Sequence, residues 1–207
     1  MFLLLAILLM ILMYPVLDHG DVRRAMLGGF VFFPVIAATV RLSQLRERIW
    51  LPVLLMSSAI LLAVIGAFVS IKAVNAAMWA MLTAFFGTSI AGLFKYLRDS
   101  RAIGAGHLCT AASIYLLIGV SWFTLYSAIE VFQPGALLHS PAADSDRHAE
   151  LLYFSLVTLS TLGYGDVVPL RGEVRMCAAL EGITGVFYIA ITVALLVSAY
   201  RPRADSV

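Results

Sequence analysis

The sequence predicts an all-α integral membrane protein, with six transmembrane helices and a re-entrant helix between the fifth and sixth. Three observations carry that expectation. The 207 residues are 62% hydrophobic and only 13% charged, where a soluble domain holds about 25% charged residues. The apolar residues gather in long runs between short polar ones, at a mean hydropathy of +0.97. The third is a short apolar run, residues 151–160, that ends in Thr161-Leu162-Gly163-Tyr164-Gly165-Asp166.

The first apolar run covers residues 2–17. It has no basic stretch before it and no small-residue cleavage site after it, so it reads as a span and not as a removed signal peptide. At ~1.5 Å per residue it reaches about 24 Å, short for a ~30 Å core but workable with bilayer thinning. A polar turn at 18–24 leads to a second span at 25–40, which Pro34 is expected to kink. A basic loop at 41–48 follows, then Trp50 at an interface position and a third span at 51–71. Residues 72–75 read as a tight turn and 76–94 as the fourth span. A second basic linker, 95–107, carries Lys95, Arg98 and Arg101. The fifth span is 108–131, a polar stretch fills 133–150, and the sixth span is 174–200. With the N-terminus inside, the inner segments hold eight Lys and Arg residues and the outer ones six. The positive-inside bias therefore favours both termini on the cytoplasmic side of the cell membrane.

Several function classes are excluded on composition. A net charge of +2 without a basic run argues against a nucleic-acid partner. Cys109 and Cys177 lie within apolar segments and read as small core hydrophobes, without metal-ligand spacing. With no nucleophile motif and no phosphate loop either, the chain is expected to be neither an enzyme nor a cofactor binder.

In the hexapeptide, Gly163 and Gly165 flank one residue, which lets the backbone alternate between right- and left-handed regions. A strand wound that way turns its carbonyl oxygens to one side. Four such strands around an axis would stack oxygen rings able to replace the water shell of a potassium ion. The hexapeptide resembles the selectivity filter of potassium channels, whose pattern is T-V-G-Y-G; it departs only at Leu162, which bears on fine tuning and not on the ion. The resemblance runs over about residues 149–200, taking in the pore helix, the filter, Pro169 after it and Gly185 in the last helix.

The resemblance implies a homotetramer with potassium held at Thr161, Leu162, Gly163 and Tyr164, Thr161 adding a hydroxyl and Gly165 completing the filter. Tyr164 would point away from the ion and wedge against Tyr153 and Phe154. Asp166, at the outer mouth, either concentrates cations or ties the filter to the pore helix. Some relatives pair it with an acid within the pore helix; here that position is Val157, leaving Tyr153 as donor to Asp166. Gly185 matches the site where the inner helix bends, although with Gly182 before it close helix packing is equally open. Val186, Ile189, Val193 and Val197 share one face, lining either the cavity as a gate or the lipid; registration from the filter favours the cavity. Glu181 is an intramembrane acid, functional by default, or else a hydrogen-bonded structural group reaching Ser155, Thr158 or Thr184. Glu130 reads as an ordinary interfacial acid.

Six spans with a pore between the last two resemble the voltage-gated layout. Yet 76–94 contains no basic residue, and Lys95, Arg98 and Arg101 are placed in the linker. Moving one charge through 100 mV is worth only ~2.3 kcal/mol, so strong voltage gating is not expected. The expected organisation is a sensor-like four-helix domain at 1–94 without gating charges, a cytoplasmic linker at 95–107, a pore domain at 108–200 and a short tail at 201–207. The expected function is passive, potassium-selective conduction through a homotetramer in the bilayer. The alternative is a subunit of a potassium-translocating transporter, whose relatives repeat degenerate filters four times in one chain; a single intact filter favours the channel.

Overall fold

The computed structural model describes residues 2–13, 38, 50–69, 71–99, 104–138 and 147–198. Apart from residue 38, the expected second span with Pro34 lies outside the described residues, as do the 41–48 loop, Arg101 and the 201–207 tail. The described elements, in order, are α1 (Phe2–Met13), α2 (Trp50–Phe68), α3 (Lys72–Asp99), α4 (Ala105–Phe132), β1 (Leu137–Leu138), α5 (Arg147–Leu159), β2 (Val168–Pro169) and α6 (Gly172–Ser198). Among them α3, α4 and α6 are long and apolar enough to cross a membrane, while α1 and α2 are shorter apolar helices. Among the described residues the architecture is all-helical apart from the two-residue antiparallel pairing of β1 with β2, which puts Leu137 opposite Pro169 and Leu138 opposite Val168.

Two expected boundaries are corrected. Residues 72–75 are not a turn but the first turn of α3, with the amides of Val74 and Asn75 both donating to the Ile71 carbonyl at 3.1 and 3.3 Å. Lys72 and Asn75 are tolerated there because the end of a long helix need not lie in hydrocarbon. The linker at 95–107 is shorter than expected, since α3 runs on through Asp99. Lys95, Leu97 and Arg98 are good helix formers, and Leu97 is buried, so the apolar face of α3 continues past Phe94. Arg98 is ion-paired with Asp99 at 3.2 Å.

The core forms where α3 crosses α4. Trp79, Leu82, Phe86, Leu93 and Leu97 recur at helical spacing on α3 and bury against Ile114, Leu117, Val120 and Phe123 of α4. The hydroxyls of Thr83 and Thr124 join the two helices at 2.9 Å. α2 packs along α3, α1 touches α4, and α5 sits between α4 and α6. His148, in the first turn of α5, lies 5.1 Å from the Trp79 ring and edge-on to Phe123 at 6.4 Å. α5 is thereby moored to both α3 and α4.

Candidate functional site

The hexapeptide begins inside the cap of α5. Thr161 N–H donates to the Thr158 carbonyl at 3.0 Å and Leu162 N–H to the Val157 carbonyl at 3.0 Å, the paired bonds of a Schellman cap. Such a cap needs a left-handed residue after the last helical carbonyls, usually glycine. Here Thr161 fills it at φ +60°, the only positive φ outside glycine among the described residues. Gly163 and Gly165 follow at φ +54° and +81°, whereas Leu162 and Tyr164 keep negative φ. Left-handed residues thus alternate with ordinary ones from 161 to 165. That alternation points successive carbonyls to one side.

Asp166 is held from two directions. Tyr153 Oη donates to its Oδ2 at 2.7 Å, and Val167 N–H donates to Oδ1 at 3.0 Å. The bond to Asp166 raises the Tyr153 phenol to about 12. The same bond, outweighing desolvation, holds the Asp166 carboxyl below its ordinary value. Downstream, Leu170 N–H donates to the Ala136 carbonyl at 2.9 Å, so β2 is stitched to the segment after α4. Glu130 is more than an interfacial acid. Its Oε1 accepts Arg147 Nη2 at 2.5 Å, Arg147 Nε at 3.0 Å and Gly135 N–H at 2.8 Å. It joins the end of α4 to the start of α5, a link that the long sequence separation of its partners conceals.

The inner end of α5 rests on glycines. Gly185 is buried, and a Cβ there would overlap the Leu159 carbonyl oxygen. Gly119 of α4 faces α5 in the same way, where a Cβ would come within 2.9 Å of Leu156 Cδ2. Tyr115 Oη also donates to the Leu159 carbonyl at 3.3 Å, satisfying an end-of-helix acceptor. Beside this junction an apolar-walled groove of about 570 Å³ is lined by Thr158, Thr161, Gly163, Gly182, Val186 and Phe187, among others.

Comparison with known proteins bears on this part of the chain. Residues 107–201 match a protein family described as ion channel. A protein of Rhodopseudomonas palustris whose name assigns it to potassium channels is 43% identical over 51 residues, covering 25% of this chain and 12% of that protein. The human potassium voltage-gated channel subfamily KQT member 3 is 30% identical over 107 residues, covering 51% of this chain and 12% of its own. The two pore potassium channel a of Oryza sativa subsp. japonica is 31% identical over 102 residues, covering 49% of this chain and 25% of its own. This segment is similar to ion channels. The chain spans between 12% and 25% of the length of these curated relatives. No solved structure matches it significantly.

Within this segment the remaining candidate residues are distributed as follows. Tyr164 and Leu162 are exposed in the single chain, at 70% and 60%. Phe154 packs edge-on against Tyr126 of α4 at 5.2 Å, which anchors α5 to α4. Val186, Ile189, Val193 and Val197 lie on an exposed face of α6, and Val186 also borders the groove. Glu181, by contrast, is fully buried. Its carboxyl reaches Ser155 of α5 at 2.5 Å and Tyr126 of α4 at 2.7 Å. Thr184 bonds instead to the Leu180 carbonyl of its own helix. Tyr126 had no distinguishing signal in the sequence, since an aromatic in an apolar span is ordinary.

Proposed function

We propose that the chain is a subunit of a potassium-selective channel, four copies closing a passive pore across the cell membrane. The observation that carries this reading is the alternating backbone of Thr161-Leu162-Gly163-Tyr164-Gly165, started by the cap of α5 and tied behind by Tyr153 and Asp166. One strand supplies a quarter of each oxygen ring, so conduction requires a fourfold homo-oligomer. Potassium would sit at the carbonyls of Thr161, Leu162, Gly163 and Tyr164. The C-terminal end of α5, with its negative partial charge, lies next to Thr161 and favours a cation there. The apolar groove beside Gly163 and Val186 is a surface suited to a neighbouring subunit.

In this reading residues 108–200 form the pore domain, framed by α4 and α6 with α5 dipping between them, and 1–94 form a four-helix domain behind it. Six spans and two cytoplasmic termini complete the proposal. Gly185 serves the inner helix, and Val186, Ile189, Val193 and Val197 line the cavity below the filter. Voltage dependence is weak, because the basic residues of α3 lie at its ends, Lys72 at one and Lys95 and Arg98 at the other. The names of the similar proteins agree with the choice of ion. The test is a bi-ionic potassium/sodium gradient across a bilayer holding the purified protein. The reversal potential is expected to follow potassium, and a reversal near zero would reject the reading.

A further inference from the structure

Glu181, Tyr126, Ser155 and the Gly119 carbonyl form one buried cluster where α4, α5 and α6 meet behind the filter. Three short oxygen-to-oxygen contacts connect them. Tyr126 Oη lies 2.7 Å from Glu181 Oε2, Ser155 Oγ lies 2.5 Å from Glu181 Oε1, and Ser155 Oγ lies 2.7 Å from the Gly119 carbonyl oxygen. Each contact at such a distance needs a proton between its oxygens. The two hydroxyls carry one proton each and the Gly119 carbonyl carries none. The third proton therefore belongs to the Glu181 carboxyl. In that arrangement Tyr126 donates to Oε2, Glu181 donates to Ser155 Oγ, and Ser155 donates to the Gly119 carbonyl. Every polar atom of the cluster is then satisfied, and no charge is buried at Glu181, which is fully enclosed.

We propose that Glu181 is a positioning residue for the filter, a neutral carboxylic acid whose proton closes a clamp joining α4, α5 and α6. The proposal rests on the reading of the protein as a potassium channel. Ser155 lies on the filter-bearing helix, less than two turns before its cap at Thr161. Removing the Glu181 proton leaves two protons for three contacts, so Ser155 must abandon either Glu181 or Gly119. It also places a charge where no counter-charge lies in contact among the described residues. α5 then loses one of its attachments to α4 or α6, and the filter loses part of its backing. The titratable groups facing Glu181 are Tyr115 and Tyr126 from α4 and Cys177 one turn earlier on α6; α5 presents Ser155 alone. The clamp is thus set to fail on the alkaline side.

The test uses the full chain in bilayers, with the dwell time of the conducting state measured from neutral to alkaline pH. In the wild type the dwell time is expected to fall as the pH rises. Glu181→Gln keeps a donor for Ser155 and an acceptor for Tyr126, so its neutral-pH dwell time is expected within about twofold of wild type, with the alkaline fall removed. Glu181→Val removes both bonds and is expected to shorten the dwell time roughly tenfold. An alkaline fall that persists in Glu181→Gln would assign it to Tyr115, Tyr126 or Cys177 and overturn the proposal, as would wild-type behaviour in Glu181→Val. Two measurements do not depend on conduction. A protonated-carboxyl infrared band at neutral pH should be present in the wild type and missing in Glu181→Gln. Protection factors of the amides at 155–162, corrected for the base-catalysed intrinsic rate, should fall at alkaline pH in the wild type and not in Glu181→Gln. A missing band or unchanged protection factors would refute the clamp, whereas a wild type that passes no potassium current would refute the functional reading alone.

Discussion

Gly182 and Gly185 of α6 allow close packing and helix bending to be told apart. A Cβ built on Gly185 overlaps the Leu159 carbonyl oxygen and lies 3.1 Å from the Leu159 carbonyl carbon and 3.2 Å from its Cδ1. The obstacle is backbone at the end of α5, so no rotamer change relieves it. A Cβ on Gly182 meets only the Thr158 carbonyl at 3.7 Å, an ordinary contact. Replacing either glycine by alanine gains up to about 1 kcal/mol of helix propensity. That gain cancels when the two variants are compared, which leaves the overpacking at Gly185, about 1–3 kcal/mol per chain. For a chain of this size the difference corresponds to a thermal midpoint on the order of 5 °C lower for Gly185→Ala than for Gly182→Ala. Thermal unfolding of both variants in one detergent measures it. Equal midpoints would refute the packing argument, and altered gating alongside equal midpoints would assign Gly185 to bending instead.

The other predictions concern the filter and its mouth. Gly163→Ala forces a Cβ into a backbone at φ +54°, a cost of roughly 1–2 kcal/mol per chain repeated in every copy of the proposed ring; potassium current is expected to vanish while the proposed tetramer survives in native mass measurement, and robust current would count against the filter assignment. Tyr153→Phe removes the bond that holds the Asp166 carboxyl low. A depressed carboxylate loses its contribution only as the pH falls through its lowered value. The variant should therefore lose current at a higher external pH than the wild type, and identical acid profiles would show that the bond has no bearing on conduction. At the alkaline end the wild-type bond should persist, because the phenol titrates only at about 12.

Several features were legible in the chain because they depend on residues close in sequence. Membrane character follows from composition, since hydrocarbon admits long apolar runs and little else. The hexapeptide is recognisable because glycine at 163 and 165 reports directly on backbone conformation. Helix ends were less legible. α3 passes Phe94 because Leu97 finds a buried place, and a span drawn from hydropathy ends where charge begins. Thr161 at positive φ was hidden, because a β-branched residue avoids that region unless the surrounding structure imposes it. Here the cap bonds from Val157 and Thr158, together with the packing of α5 against Gly119 and Gly185, impose it.

Glu181 marks the same division most sharply. Its identity as an acid in an apolar helix is plain from the sequence, and so is the cost of burying it. Its partners are not, because Tyr126 and Ser155 stand 55 and 26 residues away. Local sequence determines where helices form and which backbone positions turn left-handed at glycine. Only the packing of α4, α5 and α6 decides which distant oxygens share a proton, because a hydrogen bond depends on a separation of about 3 Å that no periodicity encodes.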